Sequence, residues 1–265
     1  MKFAEKLLQS CQRLNSALCV GLDPDPDQFP AGLPKDPGEA TVTFNRAIIS
    51  ATKDLAAAYK PNLAFYEALG ASYYEALAET LEAIPEETIA IADGKRGDIG
   101  NTARMYAKSV FEIHGFDAVT VNPYMGEDAV RPFLEYEGKG AILLVLTSNP
   151  SSADFQRYHD LYLRVAEKAV RWDQGNIGLV VGAQHPDELR RIREIVGSMP
   201  ILVPGVGAQG GSLEEVMDAG KAAGPGRLLI NVSRGILYAS KDVNFAEKSR
   251  EEAVKLVSAM RHVTS

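Results

Sequence analysis

Thr88-Ile-Ala-Ile-Ala-Asp-Gly-Lys-Arg-Gly-Asp-Ile-Gly-Asn-Thr102 is the stretch on which the reading of this chain turns. Its first five residues are a short apolar run with Ile89 and Ile91 at alternate positions and polar residues beyond it, the pattern of a buried parallel strand. Such a run ends close to the interior. This one ends in Asp93, Lys95 and Asp98, and on a strand Asp93 and Lys95, two apart, share a face. Charges at the end of a buried strand lose hydration and must be matched by one another or by a ligand. Taken alone, the cluster reads equally as a structural ion-pair network or as a site.

Outward from this run, similar short apolar runs recur at 17–22, 56–59, 118–121, 141–146, 177–181, 201–203 and 228–232, with helix-patterned segments between them. The run at 56–59 has the weakest strand character, because alanine favours helix. Alternating strands and helices imply a parallel sheet, since parallel strands need crossover connections. Eight units over residues 1–265, with no low-complexity linker dividing them, predict one domain, a closed (β/α)8 TIM barrel. An open doubly wound sheet is the alternative. In a barrel, Asp23, Lys60, Asp93 with Lys95, Asn122, Ser148, Gln209 and Arg234 all follow strands and converge on the C-terminal rim, where barrel enzymes carry their sites. That convergence favours a site over a structural network.

At 265 residues and 46% hydrophobic content, the chain has enough apolar material for a full core. A net charge of -7 offers no broad basic surface, which argues against nucleic acid or an anionic membrane as partner. The two cysteines, Cys11 and Cys19, build neither a disulfide framework nor a zinc site, and a reducing cytoplasm is the expected location. Charges interrupt the apolar pattern of the first residues, so no signal peptide is read there, and no apolar run reaches membrane-spanning length.

Gly205-Val-Gly-Ala-Gln-Gly matches G-x-G-x-x-G, but the following strand leads into Ser233 and Arg234 and not into an acid able to hold a ribose. The better reading is a glycine-rich loop whose backbone approaches a phosphate, with Arg234 and Gly235 closing from the other side. The polar stretch Thr147-Ser-Asn-Pro-Ser-Ser is either a lid over a ligand or an ordinary solvated loop, and Ser148 is its residue nearest a strand end. His114, His159, His185 and His262 have no metal-ligand spacing and read as structural or surface residues. Tyr73, Tyr74 and Trp172 lie in helical patterns and read as packing residues.

The run Asp93-Gly-Lys-Arg-Gly-Asp-Ile-Gly-Asn-Thr resembles the signature of the orotidine 5'-phosphate decarboxylase family: D-x-K-x-x-D-I, then G or P, any residue, and T. The resemblance extends to Asp23, Lys60, the glycine loop and Arg234 in the expected order. Asn122-Pro-Tyr-Met-Gly and Pro204-Gly-Val-Gly-Ala-Gln resemble the family's longer bacterial branch. It implies decarboxylation of orotidine 5'-monophosphate to uridine 5'-monophosphate in de novo pyrimidine synthesis, with neither cofactor nor metal. Lys60, Asp93, Lys95 and Asp98 would form an alternating charge network with Lys95 as proton donor. Asp23 and Thr102 would bind ribose, Ser148 the pyrimidine, and Gln209 and Arg234 the phosphate, with Pro204 also against the substrate. A homodimer is implied, Asp98 and Thr102 reaching the partner's site. A metal-dependent sugar-phosphate decarboxylase or aldolase is the first alternative, since such enzymes resemble the chain in a D-x-K-x-x-D core. The Ile99-Gly-Asn-Thr continuation and Ser148 favour the nucleotide. A silent nucleotide-binding barrel is the second, and the intact charged set argues against it, because buried charges without a task are costly.

Overall fold

Eight parallel strands close on themselves in chain order: β1 (Leu18–Leu22), β2 (Ala58–Pro61), β3 (Ile89–Arg96), β4 (Ala118–Val121), β5 (Gly140–Leu146), β6 (Ile177–Val181), β7 (Ile201–Pro204) and β8 (Leu228–Val232). β8 pairs back onto β1, so the sheet is a barrel and not the open alternative. The computed structural model describes residues 1–207, 210–220 and 227–264.

Helices Pro37–Thr52, Tyr73–Glu82, Gly100–Lys108, Glu127–Leu134, Leu161–Trp172, Pro186–Val196, Leu213–Ala219 and Phe245–Thr264 follow the strands in turn. Several begin where local chemistry dictates. The Asp36 carboxylate accepts the Glu39 N–H at 3.0 Å with Pro37 as the first helical residue, and the Ser212 hydroxyl accepts the Glu215 N–H at 3.3 Å.

Strand alternation sorts the core into two layers. Val20, Tyr59, Val119, Leu143, Leu179, Ile201 and Ile230 join a cluster with the helix residues Phe44, Ile48, Leu77, Phe133 and Leu189. Their neighbours in sequence, Cys19, Ala58, Ile91, Ala118, Ile142, Val180, Leu202 and Leu229, fill the barrel interior. That inner cluster also contains Phe3, Leu7 and Cys11 of the first helix, Phe3–Leu14, whose apolar stripe at spacings of four covers the N-terminal end of the barrel. The Ser10 hydroxyl donates to the Ala57 carbonyl at 2.8 Å and fixes the helix there. Gly140 lets it approach: a Cβ at that position would lie 2.5 Å from the Phe3 ring.

Two strands differ from expectation by more than one residue at an end. β2 runs over 58–61 instead of 56–59, because its pairing with β1 begins at Cys19 opposite Ala58, which puts Lys60 within the strand, opposite Gly21. β3 continues through Asp93 and Lys95 to Arg96, where it pairs with Val121 of β4. The charged residues are part of the barrel wall.

Phe3 is fully buried, so Phe3→Ala is expected to destabilise the protein by about 3–5 kcal/mol. Urea unfolding of the two proteins measures the difference, and a change below about 1 kcal/mol would show that the helix is not part of the core.

Candidate active site

Lys60 projects from β2 into the top of the barrel and is 4% exposed. An ammonium in that position needs an anion, and β3 supplies it: Lys60 Nζ lies 2.6 Å from Asp93 Oδ2. The other carboxylate oxygen, Oδ1, accepts from Lys95 Nζ, also at 2.6 Å, so one aspartate bridges two lysines. Thr120 of β4 completes the set, its hydroxyl donating to Asp93 Oδ1 at 3.2 Å and accepting the Lys95 backbone N–H at 2.9 Å. Thr120 had no motif to flag it. Its only signal was the inward parity it shares with Ala118.

Lys95 reaches the cluster by a route that simple alternation does not describe. Its φ is +44°, a left-handed conformation that costs a non-glycine residue about 1–2 kcal/mol. The β3–β4 register shifts between Ala92 and Arg96, and the Thr120 hydroxyl takes up the N–H freed by the irregularity. The Lys95 side chain is half exposed, whereas that of Asp93 is nearly covered. The cluster thus has a buried lysine, a covered carboxylate and a lysine open to the rim.

Burial alone would push the Asp93 carboxyl up, but Lys60 and Lys95 outweigh it and hold it well below the usual carboxylate range. Burial likewise pulls the Lys60 ammonium down, and the charges of Asp93 and then Asp23 more than reverse this, so Lys60 titrates above the ordinary lysine range. Both members of the buried pair are charged at neutral pH.

Asp23 follows β1, and its Oδ1 is buried without a hydrogen-bond partner among the described residues, as is Oδ1 of Asn231 on β8. Beside them Gly21 leaves room for Ser233, whose Oγ takes up the space that a Cβ on Gly21 would need. Ser148 follows β5 and is half-buried, and Gly182 permits its approach, since a Cβ there would be 2.8 Å from the Ser148 Cα. The loop carrying Ser148 is tied down: Gln156 Oε1 accepts the Thr147 N–H at 2.7 Å, and His185 Nε2 lies 3.0 Å from the Thr147 carbonyl. Arg157 joins His185 Nδ1 at 2.7 Å and Glu188 at 2.6 Å. Arg234 opens the short helix Arg234–Leu237, is exposed, and forms no ion pair among the described residues. Pro204 ends β7 opposite Asn231. Gly205, Gly207 and Gly210 all have left-handed φ values, which fits a tight glycine turn, while Gln209 lies outside the described residues.

Asp98 and Thr102 stand apart. The Asp98 carboxylate accepts its neighbour's N–H, from Ile99, at 2.8 Å and does not join the Lys60–Asp93–Lys95 cluster; Thr102 is exposed on the helix that follows β3.

A closed barrel of alternating strands and helices that carries lysine and aspartate side chains at the C-terminal ends of its strands has the architecture of a barrel enzyme. The model of the family described as "Orotidine 5'-phosphate decarboxylase / HUMPS family" matches residues 16–249. The orotidine 5'-phosphate decarboxylase of Roseiflexus castenholzii is 50% identical over 98% of this chain and 97% of its own length, and that of Thermomicrobium roseum 47% identical over 99% and 96%. The solved structure of the Leishmania donovani OMP decarboxylase superposes with a TM-score of 0.86 at 40% identity, covering 99% of this chain and 98% of that one. The chain belongs to the orotidine 5'-phosphate decarboxylase / HUMPS family.

Asp93→Asn would leave the buried Lys60 ammonium uncompensated and is expected to cost about 3–5 kcal/mol of stability at neutral pH. Because the folded state lowers the Asp93 pKa from its ordinary 3.8, its contribution is present above that value and is lost as pH falls toward the folded-state pKa. Denaturant unfolding of parent and variant should therefore show a gap that is constant at neutral pH and narrows below about pH 4.

Proposed function

We propose that this protein decarboxylates orotidine 5'-monophosphate to uridine 5'-monophosphate, with Lys95 protonating C6 of the pyrimidine. The observation that carries this reading is the Asp93 carboxylate held 2.6 Å from each of two lysines, one buried and one facing the rim. The relatives named orotidine 5'-phosphate decarboxylase support it over a metal-dependent sugar-phosphate enzyme.

The carboxylate leaves C6 as carbon dioxide, and the electron pair of the broken bond remains on C6. An ammonium fixed beside that carbon stabilises the charge and then transfers a proton to it, giving the C6–H of the product. Lys95 suits the task because its backbone is anchored by Thr120 and its ammonium by Asp93, so little reorganisation accompanies the charge development. Lys60 keeps Asp93 ionised and oriented. In this reading Asp23 receives the ribose, Ser148 the pyrimidine, and Arg234 with the glycine turn and Gln209 the phosphate, with Pro204 against the same substrate. Phosphate binding far from C6 supplies energy to hold the substrate's base against the Ser148 loop.

The same reading makes the protein a homodimer whose partner supplies Asp98 and Thr102 to each site. Ile99, just before the helix Gly100–Lys108, and Thr102 and Met105, three apart on it, are exposed, and Met125, which lies against Gly97, is 44% exposed. Apolar exposure of this kind beside charged residues suits burial against a second copy.

The test is the ultraviolet absorbance change of orotidine 5'-monophosphate with the purified protein. Rapid loss that is indifferent to a strong chelator is expected, and Lys95→Ala should remain folded and lose nearly all turnover. No reaction in the parent, or full activity in the variant, would overturn the assignment. Mixing inactive Lys95→Ala with inactive Asp98→Ala should restore activity, because a mixed dimer rebuilds one complete site; continued inactivity after subunit exchange would remove Asp98 from the partner's site.

A further inference from the structure

The Arg234–Leu237 helix ends at Tyr238, whose N–H donates to the Arg234 carbonyl at 3.1 Å. The Tyr238 side chain turns toward the end of the neighbouring strand β1. Its hydroxyl donates to the Asp23 carbonyl at 2.8 Å and accepts the Asp25 N–H at 2.7 Å, so one phenol pins both ends of a three-residue segment leaving β1. The ring is held independently, stacked on Phe44 with centroids 5.8 Å apart and planes inclined by 14°. Burial raises the phenol's pKa to about 12, which keeps it in the donor form throughout the neutral range.

The segment it pins is otherwise lightly held. Asp23 Oδ1 is buried and has no partner among the described residues, and the Asp25 carboxylate is committed to the turn beyond, accepting from the Asp27 N–H at 3.1 Å and from Gln28 at 2.9 Å. We propose that Tyr238 is a positioning residue that links the two binding halves of the site: it is anchored to the Arg234 backbone at one end and fixes the Asp23 backbone, and so the direction of the Asp23 carboxylate, at the other. The proposal rests on the reading above, in which Arg234 meets the phosphate and Asp23 the ribose. A substrate bridging both would then find them already in register, and misplacement of Asp23 would be felt in the reacting geometry.

Tyr238→Phe removes both hydroxyl contacts and keeps the stacked ring. It is expected to lower kcat/KM for orotidine 5'-monophosphate by about tenfold, with the melting temperature reporting that the fold is retained. In an Asp23→Ala background, where the carboxylate to be aimed is gone, the same replacement should cost less than about twofold. A Tyr238→Phe effect that is absent, or that persists in full in a background where Asp23→Ala is itself severely impaired, would overturn the proposal while leaving the ribose assignment standing. If Asp23→Ala alone turns over normally, the ribose assignment fails, and the proposed route through Asp23 fails with it.

Discussion

An ammonium at the bottom of an open cleft is tolerable only if an anion is fixed against it, and the Lys60–Asp93 contact meets that condition inside the barrel. Much of the rim follows from it. Asp93 must point inward from β3, which brings its second oxygen to the mouth, where it captures Lys95. Thr120 must stand on the adjacent strand to receive both the Lys95 N–H and the remaining face of the carboxylate. The left-handed backbone at Lys95 is the local strain accepted to complete this arrangement, and it survives because two bonds hold Lys95, its N–H to Thr120 and its ammonium to Asp93, while Thr120 and Asp93 are themselves bonded to each other.

The fold was legible because its signal is repeated: eight apolar runs with helical spacers carry the same message, and a weak copy such as the alanine-rich run before Lys60 does not erase it. Its displacement by two residues had a cause invisible in the run itself, since the start of β2 is set by where β1 offers pairing partners. The Asp93–Lys95 juxtaposition was legible as two residues on one face, although the backbone achieves it through an irregularity that strand parity does not anticipate.

Residues whose role comes from distant partners were not legible. Thr120 looked like any β-branched strand residue, and Tyr238 meets Asp23 and Asp25 across more than two hundred positions. His185 read as a structural or surface residue, and the structure makes it the junction between the Thr147 carbonyl and Arg157. The stretch after β5, open in sequence to being lid or plain loop, is bonded to the next strand's loop through that junction. No short-range pattern encodes such contacts, because they arise only once the barrel has closed.

The helix that seals the N-terminal end of the barrel has a kinetic meaning as well as a structural one. With Phe3, Leu7 and Cys11 packed against the inner layer, the interior is a filled core closed at its N-terminal end and not a channel. A molecule bound at the C-terminal rim therefore has that side alone for both entry and exit. A bound molecule meets the rim loops on its way in and out, whereas the sealed floor is free to vary only as packing allows.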